Sequence, residues 1–118
     1  METQGAIMAF SQSEKIKSVL IWLSQALELL RGLPEQEKKG AERMIKTFVD
    51  MVFHEISLAG KVTGEESWKD IERHVDQAAV MINSGVGADA VVNLTRALSQ
   101  VTSIGQRSMS YLKENGLL

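Results

Sequence analysis

The sequence predicts an all-α protein: an up-down antiparallel four-helix bundle with short loops and a loose N-terminal arm. Three observations predict it. Apolar residues recur at three-and-four spacing in four successive segments, as one face of a helix requires. Capping residues, glycines and the single proline separate those segments at short intervals. No stretch alternates with the period of two that marks a half-buried strand. At 118 residues the chain is one domain, long enough for a proper core.

The elements follow in order. Residues 1–12 are expected as a flexible arm, because Ser11-Gln12-Ser13-Glu14 fits a capping box that opens a helix at about residue 13. That helix runs over about 13–31 with the stripe Ile16, Val19, Leu20, Leu23, Ala26, Leu27 and Leu30, and Gly32 is expected as its left-handed end. Pro34 tolerates a first helical turn, and Glu35 and Glu37 complement the positive end of a helix dipole. The second helix, about 34–60, carries the stripe Ala41, Met44, Ile45, Phe48, Val52, Ile56 and Ala59, and Gly60 to Gly64 is expected to break it. Thr63-Gly64-Glu65-Glu66 reads as a second capping box for a helix over about 65–84, with Trp68, Ile71, Val75, Ala78, Ala79 and Ile82 inward. Gly85-Val86-Gly87 connects to a last helix over about 88–114, striped by Val91, Leu94, Leu98, Val101, Met109 and Leu112. Its polar face is read as Asn93, Arg96, Gln100, Ser103 and Arg107. Connections this short force neighbouring helices to run antiparallel.

Two helices are apolar beyond what one core needs. Trp22 and Leu29 lie seven apart, on one line displaced from the main stripe of the first helix. Met51 and Leu58 repeat the feature on the second. Either the bundle covers a wide face, or these four residues form a second interface that closes an oligomer or seats a partner helix. The last helix, rich in Ala, Ser, Thr and Gly, allows close approach, as a dimer seam or as the thin side of the bundle.

Composition excludes several function classes. Net charge is −2, so no basic field exists to hold nucleic acid or an anionic membrane. The absence of cysteine removes disulfides, thiolate catalysis and Cys-type metal sites. The longest apolar runs, such as Val19–Leu23 and Ala78–Ile82, are five residues each, far short of a membrane span. No signal-peptide pattern opens the chain, and a cytoplasmic location is expected. Ile7-Met8-Ala9-Phe10 lacks the basic flank of a membrane-surface helix.

Motifs with chemistry each meet a simpler explanation. Asp50/His54 and Asp70/His74 sit at helical i, i+4 spacing and read as surface pairs; the Glu-x-x-His offset of bundle metal sites is missing. His54-Glu55 starts like a zinc-protease signature, but Leu58 stands where the second histidine belongs. Glu55 falls at the edge of the apolar stripe, either as an acid of raised pKa or as a carboxylate bonded at a helix border. Gly85-Val86-Gly87-Ala88-Asp89-Ala90 matches a dinucleotide-binding turn without the strand or the later acid such a turn uses. No Gly-x-Ser-x-Gly elbow occurs. Lys38, Lys39, Arg43 and Lys46 alternate with Glu35, Glu37 and Glu42, a mixed-charge solvated face.

The expectation is a non-enzymatic bundle that acts by protein–protein interaction and self-associates into a homo-oligomer through Trp22, Leu29, Met51 and Leu58. No cofactor and no metal is expected. The alternative is a metal or small-molecule binding bundle, enzymatic in its strongest form, with a site near Glu55, His54 and His74.

Overall fold

A computed structural model describes residues 2–118. It contains helices α1 (Thr3–Leu30), α2 (Glu35–Thr63), α3 (Ser67–Asn83) and α4 (Val91–Glu114), with a single 3-10 turn, Gly87–Ala90, ahead of α4. Among the described residues there is no strand. Each helix packs on its neighbour in sequence, and α4 closes the ring on α1. The result is an up-down four-helix bundle, 53 × 21 × 18 Å in extent. Among the described residues no helix is long and apolar enough to cross a membrane.

The core is built from two matching series. On α1 it takes Ile16, Leu20, Leu23, Leu27 and Leu30, and on α2 Ile45, Val49, Val52, Ile56 and Ala59, all buried. Steps of four and three keep each series on one side of its helix. Against them α3 brings Trp68, Ile71, Val75, Ala78 and Ile82, and α4 brings Leu94, Ala97, Val101, Ile104 and Leu112. Trp68 is the largest enclosed side chain and anchors the end of the bundle near the α2–α3 turn.

The N-terminal segment departs from expectation. Helix α1 begins at Thr3 rather than near residue 13, and Ala6 and Ala9 are completely buried. Ser11 therefore lies inside a helix and caps nothing, while the buried Ser13 donates to the Phe10 carbonyl at 3.0 Å. The physical reason is a stripe of small residues, Ala6, Ala9 and Ser13, that lets this end of α1 lie close to α4. A Cβ added at Gly105 would stand 2.9 Å from the Ser13 Oγ, so the two backbones meet where neither carries bulk. The small residues of α4 thus serve an internal seam. Met1 lies outside the described residues.

Helix ends differ in detail too. Gly32 is not left-handed: α1 closes through three i→i+3 bonds, Arg31 N to Glu28 O, Gly32 N to Leu29 O and Leu33 N to Leu30 O. Pro34 is the N-cap of α2, and its carbonyl accepts from Glu37 and Lys38 at 2.9 and 3.0 Å. Helix α2 runs on through Gly60 to Thr63, because a bare Cα at position 60 lets Trp68 pack against it; a Cβ there would lie 3.3 Å from the Trp68 Cβ. The left-handed end falls instead at Gly64, at φ +70°. The second capping box does not form, since Glu66 is the α3 N-cap and makes no side-chain cap bond. On α4 the buried line is Leu94, Ala97, Val101, Ile104, Ser108 and Leu112, so Ala97, Ile104 and Ser108 join a core from which the sequence reading omitted them. Asn93 is buried rather than solvent-facing and donates to the Met81 sulfur at 3.0 Å.

Candidate interaction face

The outer side of the α1–α2 hairpin carries a second pair of series, parallel to the core pair. On α1 it is Met8, Gln12, Lys15, Val19, Trp22, Ala26 and Leu29, continued by Leu33 in the following turn; on α2 it is Ala41, Met44, Phe48, Met51, Glu55, Leu58 and Val62. Both step by alternating threes and fours throughout, the spacing of a helix-packing seam. No third helix covers them. Between the two lies a groove of about 610 Å3, lined from Lys15 and Glu55 at one end to Leu33 and Ala41 at the other. Trp22, Leu29, Met44, Phe48 and Met51 line it while remaining between 46% and 68% exposed.

The surroundings of this strip are polar but uncharged on α1, where Ser11, Ser18 and Gln25 border it, and include Gly40 and Thr47 on α2. Apolar area with few charges and with aromatic and methionine side chains at its centre is the composition of an interface core. One polar layer interrupts the strip. The Glu55 carboxylate accepts from the Lys15 ammonium at 3.0 Å and from the Gln12 amide at 3.3 Å; that amide also lies 3.3 Å from the Glu55 carbonyl. The hydrogen bond from Lys15, then that from Gln12, holds the Glu55 carboxyl below its ordinary pKa, against a smaller opposing effect of burial. The reading of Glu55 as an acid of raised pKa is overturned by these two donors.

No protein family, curated protein or solved structure matches this chain. What the face can do therefore rests on its own geometry.

Of the residues singled out in the sequence, Trp22, Leu29 and Met51 meet at the groove, and Leu58 prolongs the α2 series past Glu55. Met44 and Phe48, expected in the core stripe, belong to this outer face instead, at 63% and 46% exposure. The signal that separates them was present: Ile45, Val49, Val52, Ile56 and Ala59 form a complete inner series without them.

The histidines are placed differently. His54 is exposed on α2 and meets the edge of Phe53, with ring centroids 6.2 Å apart. His74 is half-buried on α3, and its Nδ1 is enclosed without a hydrogen-bond partner. Asp70 pairs with Arg73 rather than with His74. Among the described residues no three His, Asp or Glu side chains gather as a metal-holding group. At the Gly85–Gly87 turn, Gly85 is left-handed at φ +82°, and a Cβ on Gly87 would touch Ile82, Leu30 and Leu27 at 3.5–3.6 Å. Both glycines thus have structural work in a helix-to-helix connection.

Proposed function

We propose that this protein is a non-enzymatic interaction module that self-associates through the outer face of its α1–α2 hairpin. The observation that carries the reading is the groove, in which Trp22, Leu29, Met44, Phe48 and Met51 form one contiguous apolar surface under no covering element. Apolar patches of this kind on a folded domain mark contact sites. Tryptophan is enriched among the residues that dominate binding energy, so Trp22 is the anchor, with Leu29 and Met51 beside it and Leu58 extending the contact.

The scale suits a second copy of the chain. From Met8 to Leu29 the α1 series spans about 32 Å, and two helices side by side are about 20 Å wide, which gives on the order of 640 Å2, inside the range of about 600–1,000 Å2 per partner of standard interfaces. A stable pair of proteins buries about 800 Å2 per partner. Pairing two hairpins face to face would add a second four-helix core to the one each copy already has. The cytoplasm is the compartment we assign, as suits a chain without cysteine or a membrane-length helix.

Absolute mass by light scattering over a range of concentrations tests this. The expected result is a dimer whose dissociation constant rises at least about a hundredfold in Trp22→Ala, a loss within the usual range for an interface anchor. Helicity and urea stability of that variant should match the wild type at low concentration, since Trp22 is 65% exposed in the single copy. A wild-type monomer at every concentration, or a folded Trp22→Ala that still assembles fully, would overturn the reading.

A further inference from the structure

The polar layer fixes how two copies face each other. Two hairpins packed outer face to outer face can be related by a two-fold axis in the interface plane in two ways, along the helices or across them. An axis along the helices lays α1 of one copy on α2 of the other and keeps every level matched with itself. An axis across the helices lays α1 on α1 and reverses the levels end for end.

These arrangements treat Lys15 and Glu55 very differently, because the pair lies off the centre of the face. Trp22, Leu29, Met44, Phe48 and Met51 all lie on one side of it, and Met8, Leu58 and Val62 on the other. With the crosswise axis, the ion pair of each copy is pressed against the Ala26, Leu29, Ala41 and Met44 level of its partner. Both charges then lose water and gain no new partner, which is the costly way to bury an ion pair. With the lengthwise axis, Lys15 of each copy meets Glu55 of the other. The two pairs become a square of four alternating charges, and apolar levels meet apolar levels. Trp22 then falls opposite Phe48 and Met51 of the second copy.

We infer that the assembled form is an eight-helix dimer whose two copies point the same way about a two-fold axis along the bundle, its register set by reciprocal Lys15–Glu55 pairing between copies. The inference rests on the self-association proposed above and specifies its geometry. A polar position in an otherwise apolar seam is a well-attested way of fixing register.

Charge reversal tests it. Lys15→Glu leaves two carboxylates at the layer, and Glu55→Lys leaves two ammonium groups. Each variant alone should dimerise at least about a hundredfold more weakly, since facing like charges cost several kilocalories per mole. Mixed in equal amounts, the two should form a heterodimer of close to wild-type affinity, because every acid of one then faces a base of the other. Sedimentation or native mass spectrometry reads this directly, and circular dichroism of each variant checks the fold; both side chains are about half exposed, at 54% and 39%. A dimeric wild type whose variants show no preference for each other on mixing would overturn the lengthwise register while leaving self-association intact. Unweakened single variants would do the same. A monomeric wild type would overturn both.

Discussion

Glu55 shows what one side chain contributes inside a single copy. Its carboxylate draws together Lys15 and Gln12 of the facing helix, and both contacts favour the charged form. A carboxyl whose folded pKa lies below its unfolded value stabilises the fold above the unfolded value, here about 4.5, and that stability is lost as pH falls through the folded pKa. Partial exposure screens the pair, so the effect is small. Glu55→Gln should lose up to about 0.5 kcal/mol at pH 7 by urea titration of dilute protein, and the difference from wild type should close as pH falls through the lowered folded pKa. A gap that persists unchanged at pH 3 would contradict the assigned role of the charge. The sequence placed Glu55 at a stripe edge but left its partners open, because Gln12 and Lys15 stand some forty residues away and fell within or just beyond a segment expected to be loose. The two tryptophans make a second contrast: Trp68, read in the main stripe of its helix, is 1% exposed, and Trp22, read on a line displaced from the main stripe of its own, is 65% exposed.

Between elements, α1 and α4 lie close at Ser13 and Gly105, where a Cβ added at position 105 would meet the Ser13 hydroxyl. An alanine at 105 would gain about 1 kcal/mol of helix propensity. It would also drive a methyl group to 2.9 Å from a hydroxyl held between the helices. The outcome should depend on the partner. Gly105→Ala is expected to be at least about 1 kcal/mol more favourable in a Ser13→Ala background than in the wild type, where the clash remains. Additive effects in that double-mutant cycle would mean the helices simply move apart. This seam was hard to read in the sequence for the same reason that it packs well. Ala6, Ala9, Ser13, Gly105 and Ser108 contribute little hydropathy, so a search for large apolar stripes ends α1 too late and misplaces part of the α4 face. The core series of α3 was legible, because Trp68, Ile71, Val75, Ala78 and Ile82 repeat there at helical spacing without interruption, whereas on α2 the buried Val49 was passed over and the exposed Met44 and Phe48 were drawn into the stripe. The number and order of helices were legible for a related reason: Pro34, Gly64 and Gly85 each stand at a real boundary.

At the scale of the molecule, α1 and α2 are nearly equal in length, at 28 and 29 residues, and form an uninterrupted hairpin. That hairpin has two apolar sides with the same three-and-four rhythm. In the finished fold α3 and α4 take the inner side, and the outer side stays exposed. A refolding chain meets the two sides before either is occupied, and α1–α2 contacts, being local in sequence, form early. Two chains can then join through the outer sides alone, or one hairpin can seat itself on the inner side of another and delay the arrival of α3 and α4. Refolding of the wild type should therefore slow as protein concentration rises, when followed by tryptophan fluorescence after rapid dilution from urea. In Trp22→Lys, whose outer side no longer competes, the rate should be independent of concentration. A wild-type rate that never varies would mean that inner and outer sides are already distinguished in the unfolded chain. For the dimer proposed above, the two-sided hairpin would tie assembly to folding by a kinetic competition: the crowding of newly made chains, as well as their final affinity, would decide how many reach the paired state.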